Sequence, residues 1–224
     1  MSTAISPRNR MIAGFVFANI AIIVTVALVI FGKPQSPPTI QGVVLPVARE
    51  IPPFVLVDHR NRIFTNEDLI GQWHLVSYGY TTCPDVCPTT LAQLADVERR
   101  LNEQGDSLPV LFYSIDHNRD TVAQLARYVP FFHPDFIGLT HFNSSKTQHL
   151  PFEQGLGITS QLTPVIEESG SASYTVAHGV TLFLINPQGQ LQAILKPGRD
   201  MQRNQVFDAE TIYEDFLQLR DFFG

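Results

Sequence analysis

The sequence predicts an α/β domain, a central mixed sheet flanked by helices, behind a single N-terminal transmembrane helix. Three observations carry this. Strand and helix patterns alternate between about residues 73 and 131, a strand pair and a helix follow near the C-terminus, and residues 11–31 form a run of 21 residues without a charge.

The run Met11 to Phe31 is long enough, at about 1.5 Å per residue, to cross a bilayer core of about 30 Å. A cleaved signal peptide would have a shorter apolar region and a small-x-small site, and Phe31-Gly32-Lys33-Pro34-Gln35 offers none. Arg8 and Arg10 precede the run and only Lys33 closely follows it, which places residues 1–10 in the cytoplasm and the rest outside. Ten residues are too few for a mitochondrial transit peptide, so the expected setting is a bacterial inner membrane crossed once, with the C-terminal domain in the periplasm. Residues 32–50 read as a semi-extended spacer and residues 51–224 as the domain.

Within that domain, two apolar runs around Asp58-His59-Arg60-Asn61 predict a hairpin over Ile51 to Thr65. Trp73 to Tyr80 reads as a buried strand, and Thr89 to Gln104 as a helix with Leu91, Leu94, Val97 and Leu101 on one face and Gly105 as its stop. A second strand over Leu108 to Asp116 leads to a helix from Thr121 to Phe131 capped by Asp120. A short strand over Phe136 to Thr140 and a short helix over Lys146 to Leu156 come next, and Ile158 to Ser173 reads as a loop or a weak strand pair. Strands Val180 to Ile185 and Leu191 to Lys196 are joined by the turn Asn186-Pro187-Gln188-Gly189, and Asp208 to Phe222 forms the last helix. A βαβ unit followed by a helix, a hairpin and a final helix is the thioredoxin-like arrangement.

The only cysteines, Cys83 and Cys87, lie in the strand-to-helix loop of that unit. A disulfide closing so small a ring would stabilise by only about 2 kcal/mol, against nearly 5 for a hundred-residue ring, so reversible redox chemistry or metal binding is the stronger reading. Pro88 suits the first helical turn, and the positive helix end should make both thiols ionise more readily than a free cysteine, with Asp85 opposing.

Of seven histidines, His59, His74, His117, His133, His141 and His149 read as surface or hydrogen-bonded residues. His178 differs, because it immediately precedes the strand from Val180, next to the cysteine loop in a thioredoxin-like sheet. Two thiolates and one imidazole form a soft three-coordinate set that suits Cu(I) and can retain Cu(II). Zinc would want a fourth protein ligand or a water.

The segments YGYTTCPDVCPTTL, FYSIDHNRDT, RYVPFFHPDFIGLT and AHGVTLFLINPQGQL, in this order after an N-terminal anchor, resemble the Sco/SenC family of copper proteins. The resemblance implies a thioredoxin-like domain that binds copper through Cys83, Cys87 and His178 and helps assemble the binuclear CuA centre of cytochrome c oxidase. Asp85 would support those ligands from behind. Asp116 and Asp120 match the family's acidic segment, although a strand end and a helix cap explain them equally. The chain departs from the pattern at Ala177, where Asp is common, at Gly179 and Thr82, and at His117, where the family usually has Pro.

A copper metallochaperone, passing Cu(I) or Cu(II) to a copper-receiving subunit of cytochrome c oxidase or another periplasmic copper protein, is therefore the first expectation. A thiol-disulfide reductase using Cys83 to attack and Cys87 to resolve is the second, and a redox or copper sensor acting by protein contact is the third. From Gln41 onward 12 basic side chains face 21 acidic ones, a net charge of −9 without a basic run, which argues against a nucleic-acid partner.

Overall fold

The computed structural model describes residues 7–31, 36–142, 147–166 and 172–224. The chain divides into two units, residues 1–37 and 38–224. The first contains helix α1, Pro7–Phe31. Among the described residues it is the one helix long and apolar enough to cross a membrane, over Arg8–Val26.

The second unit is organised by an eight-stranded sheet. In chain order its strands are β1 (Gly42–Arg49), β2 (Val55–Asp58), β3 (Ile63–Thr65), β4 (His74–Gly79), β5 (Val110–Ser114) and β6 (Ile137–Thr140). After a separate hairpin of β7 (Ser160–Ile166) and β8 (Ala172–His178) come β9 (Leu182–Ile185) and β10 (Leu191–Leu195). The spatial order is β1-β10-β9-β4-β5-β6-β2-β3. Strands β4, β5 and β6 are mutually parallel, whereas β9 runs antiparallel to β4. Helices α2 (Val86–Asn102), α3 (Val122–Phe132), α4 (Leu150–Leu156) and α5 (Ala209–Phe223) complete the unit. The segment β4-α2-β5-α3 followed by β9-β10-α5 is the expected thioredoxin-like core.

Alternation along the strands explains why both faces are covered, since successive side chains point to opposite sides. Leu75, Phe112 and Leu184 pack with Leu91, Leu94, Val97 and Leu101 of α2 and with Ile212, Phe216 and Leu219 of α5. Val76, Leu111, Tyr113, Phe183 and Ile185 join the opposite cluster with Phe152 and Leu156 of α4. Each fully buried Leu or Phe contributes about 1.5–3 kcal/mol of transfer free energy, so the central strands are fixed from both sides.

Three expectations need correction. The spacer ends early: Gly42–Arg49 is β1, antiparallel to β10, with its register broken between Val44 and Arg49 where Pro46 sits. Proline removes a ladder donor, which suits an edge strand and reads in sequence as a linker. The first core helix begins at Val86, ahead of the expected Thr89, so Cys87 and Pro88 lie in its first turn. The cap of α3 is Thr121, whose side chain accepts the Gln124 N–H, and Asp120 is released for another task.

Ile158 to Ser173 takes the strand-pair form, and residues 167–171 fall outside the described residues. So do residues 32–35 of the spacer and Lys146 at the expected start of the short helix.

Strand β1 covers the edge of β10, and Ile40, Val44 and Leu45 pack on the two clusters. A chain starting at residue 51 should therefore melt at least about 5 °C below one starting at residue 38, as read by circular dichroism. Equal melting temperatures would show that β1 adds nothing to the domain.

Candidate metal centre

Strand β4 ends at Gly79, and the chain turns through Tyr80, Thr81 and Thr82 into α2. The Cys83 N–H donates to the Tyr80 carbonyl at 3.1 Å, which closes the turn. Across it, the Cys87 N–H donates to the Cys83 Sγ at 3.5 Å, so an amide of the first helical turn faces sulfur. The two cysteines are not disulfide-bonded; Cys83 is half-buried and Cys87 is 4% exposed. Gly79 permits this packing, because a Cβ there would collide with the Cys87 sulfur.

The expectation that both thiols ionise readily fails for Cys87. Burial pushes its thiol well up, and the neighbouring Cys83 and Asp120 push in the same direction. Desolvation outweighs the helix end because Cys87 points into the protein. Asp85 is exposed at the N-cap position, where its side chain caps nothing and meets the Thr89 hydroxyl at 3.5 Å.

His178 is the last residue of β8, and the following strand β9 begins at Leu182, so the histidine belongs to the hairpin and just precedes that strand. Its Nδ1 lies 2.7 Å from the Gly179 carbonyl, and a carbonyl can only accept, so Nδ1 carries the proton and Nε2 keeps the lone pair. The ring packs against Tyr78 at 5.3 Å and Tyr80 at 5.9 Å between centroids. His178 and Cys87 line one small cavity with Tyr78, Val86 and Phe207; its volume of about 10 Å³ matches roughly one water-sized sphere. Ala177 is exposed and offers the ring no carboxylate, so the Gly179 carbonyl does the orienting.

Two acids that the sequence left between a structural and a functional reading hold these parts together. Asp120, fully buried, accepts the Thr81 N–H at 2.8 Å, the Thr81 hydroxyl at 2.6 Å and the Ser114 hydroxyl at 2.7 Å, tying the cysteine loop to β5. Asp116 accepts from the Arg119 guanidinium and from the Tyr174 hydroxyl at 2.5 Å. Arg119 lies 4.2 Å above the Tyr174 ring and 5.9 Å from that of Tyr80, bracing the strand that carries His178 against the cysteine turn. The acidic segment is thus a scaffold, neither a mere strand end nor a cap. Tyr128 of α3 keeps a buried hydroxyl with no partner among the described residues, and burial and the nearby cysteines push its phenol up.

Cys87 and His178 thus face one small cavity, and the Cys83 sulfur lies across the turn against the Cys87 amide. Among the described residues a second group, His117, His141 and His149, has donor atoms that all lie within 4.8 Å of one another. Each of the three keeps a polar contact, as expected of hydrogen-bonded histidines, but their convergence was not expected from the sequence. His59 does behave as expected, accepting the Gly138 N–H at 3.0 Å.

A sequence model of the SCO1/SenC family matches residues 45–209. The chain is 38% identical over 138 residues to the mitochondrial SCO2 homolog of Bos taurus, covering 61% of this chain and 50% of that protein. It is 44% identical over 142 residues to a SCO2-like protein of Rickettsia felis, covering 61% and 64%. The chain thus spans half the length of the bovine relative. The crystal structure of yeast Sco1 with copper bound superposes with a TM-score of 0.64 at 28% identity, covering 79% of this chain and 90% of that one.

Two outcomes follow from this geometry. Asp120→Ala leaves one buried and two part-buried donors without their acceptor and should cost about 3 kcal/mol in urea denaturation; a loss under about 1 kcal/mol would contradict the scaffold role. At pH 8 iodoacetamide should modify Cys83 well before Cys87, as followed by peptide mass, because only a thiolate reacts and burial keeps Cys87 a thiol. Equal rates would contradict the packing of Cys87.

Proposed function

The chain belongs to the SCO1/SenC family, and from that membership and the site's geometry we propose that it is a membrane-anchored copper metallochaperone. Cys83, Cys87 and His178 hold the copper, and the recipient is the subunit of cytochrome c oxidase that carries the CuA centre, or another periplasmic copper protein. Helix α1 is the single-pass anchor in a bacterial inner membrane, with residues 1–10 in the cytoplasm and the domain in the periplasm. Residues around 32–41 are the tether.

One observation carries the ligand assignment. The Nδ1–H of His178 is committed to the Gly179 carbonyl, which leaves Nε2 as the lone-pair nitrogen of a ring that shares an ion-sized cavity with Cys87. Two sulfurs and one imidazole fit soft Cu(I) and supply the third donor that Cu(II) needs. The donor set suits cargo: half-buried Cys83 can be reached by an incoming ligand, while Cys87 and the ring stay packed. Transfer proceeds by exchange, each recipient ligand replacing one of the three. The anchor keeps the search at the membrane surface and raises effective concentration near a membrane-bound recipient.

The difference in exposure between the two thiols also supports a second reading, reduction of a disulfide in the copper-receiving protein. Cys83 would attack one sulfur of that disulfide and form a mixed disulfide, and Cys87 would then displace the reduced partner, leaving Cys83 and Cys87 oxidised. His178 is dispensable in that chemistry.

Replacing His178 by Ala should weaken Cu(II) at the cysteine site by at least ~100-fold and abolish the thiolate-to-Cu(II) charge-transfer band, while Cu(I) affinity falls far less because both thiolates remain. Competition titrations with a chromophoric chelator measure both constants. Equal losses for the two ions would overturn the assignment of His178.

A further inference from the structure

The parallel strands β5 and β6 end side by side, and each is followed by a histidine, His117 after β5 and His141 after β6. His149, buried, stands at the N-cap of α4 and closes the group. The Nδ1 atoms of His141 and His149 are 3.3 Å apart. That is the edge of a tetrahedron whose metal–nitrogen bonds are about 2.0–2.1 Å, about 3.3–3.4 Å. All three donor atoms lie within 4.8 Å of one another, so ring rotations that draw them in by at most about 1.4 Å complete the set.

A carboxylate completes the surroundings. Glu153 Oε1 lies 3.6 Å from His117 Nε2 and accepts the Tyr113 hydroxyl at 2.7 Å, and that hydroxyl is itself 3.3 Å from His117 Nε2. Burial alone would raise the Glu153 carboxyl, but hydrogen bonds from His117 and Tyr113 hold it below its usual range, so it stays an anion. Burial and the neighbouring rings lower His141 to about 4 and lower His149, so both imidazoles are neutral near pH 7. An open cleft of about 390 Å³ lined by His117, Thr140 and His141 gives a path in from solvent.

We propose that His117, His141 and His149, with Glu153 as the adjacent carboxylate, form a second metal site for divalent copper or zinc. Imidazole suits both ions, and three nitrogens with one position left for carboxylate or water match the usual zinc arrangement. The site shares no residue with Cys83, Cys87 and His178 and stands whether or not those residues bind copper. Sulfur is absent from it, so it favours the divalent ions and leaves Cu(I) to the thiols.

The test uses the full chain in detergent, with Cys83→Ser, Cys87→Ser and His178→Ala combined to remove the first site. Titration with zinc or copper(II) chloride should show one saturable equivalent, and adding His141→Ala should weaken it at least ~100-fold. Electron paramagnetic resonance of the copper(II) form of that triple variant, with His141 intact, should show coupling to several imidazole nitrogens. No saturable equivalent, an affinity unaffected by His141→Ala, or a spectrum without imidazole coupling would each overturn the site.

Discussion

The buried carboxylate of Asp120 is the interaction on which the site depends. A loop carrying two cysteines has few apolar contacts of its own, and its backbone amides would otherwise face water. Asp120 takes the Thr81 N–H and hydroxyl together with the Ser114 hydroxyl, so the turn that leads to Cys83 is anchored to the end of β5. Four residues upstream, Asp116 does the equivalent for the opposite wall through Arg119 and Tyr174. One short segment therefore positions both the cysteine turn and the hairpin strand that ends in His178.

That segment follows from strand direction. Strands β4, β5 and β6 are parallel, so their C-terminal ends lie along one edge of the sheet. The first delivers the cysteine turn, the second Asp116, His117 and Asp120, and the third His141. Groups far apart in sequence converge there because loops at the carboxyl ends of parallel strands share one rim, the usual place for sites in such sheets. The two side-chain groups on this rim differ in chemistry, thiols in one and imidazoles in the other, and the loop between β5 and α3 links them.

Much of this was legible in the sequence, for identifiable reasons. Central strands such as His74–Gly79 and Val110–Ser114 are buried on both faces and read as continuous apolar runs, and α2 shows its leucines at helical spacing. Cys83 and Cys87 are neighbours in sequence, so their meeting needed no tertiary information. By contrast, β1 hid behind Pro46, and the His117, His141 and His149 group depended on β5 lying beside β6. The roles of Asp116 and Asp120 were ambiguous because a cap, a strand end and a buried anchor all favour the same residue type. The depth of Cys87, which reverses the expected ease of ionisation, is set by Gly79 and by packing that no spacing reveals.

The most direct test of the account is X-ray absorption at the copper edge after one equivalent of Cu(I) is added, without oxygen, to the reduced chain. The account predicts two sulfur scatterers and one imidazole around each copper. Coordination by nitrogen and oxygen alone would contradict it, because copper would then be held away from Cys83 and Cys87.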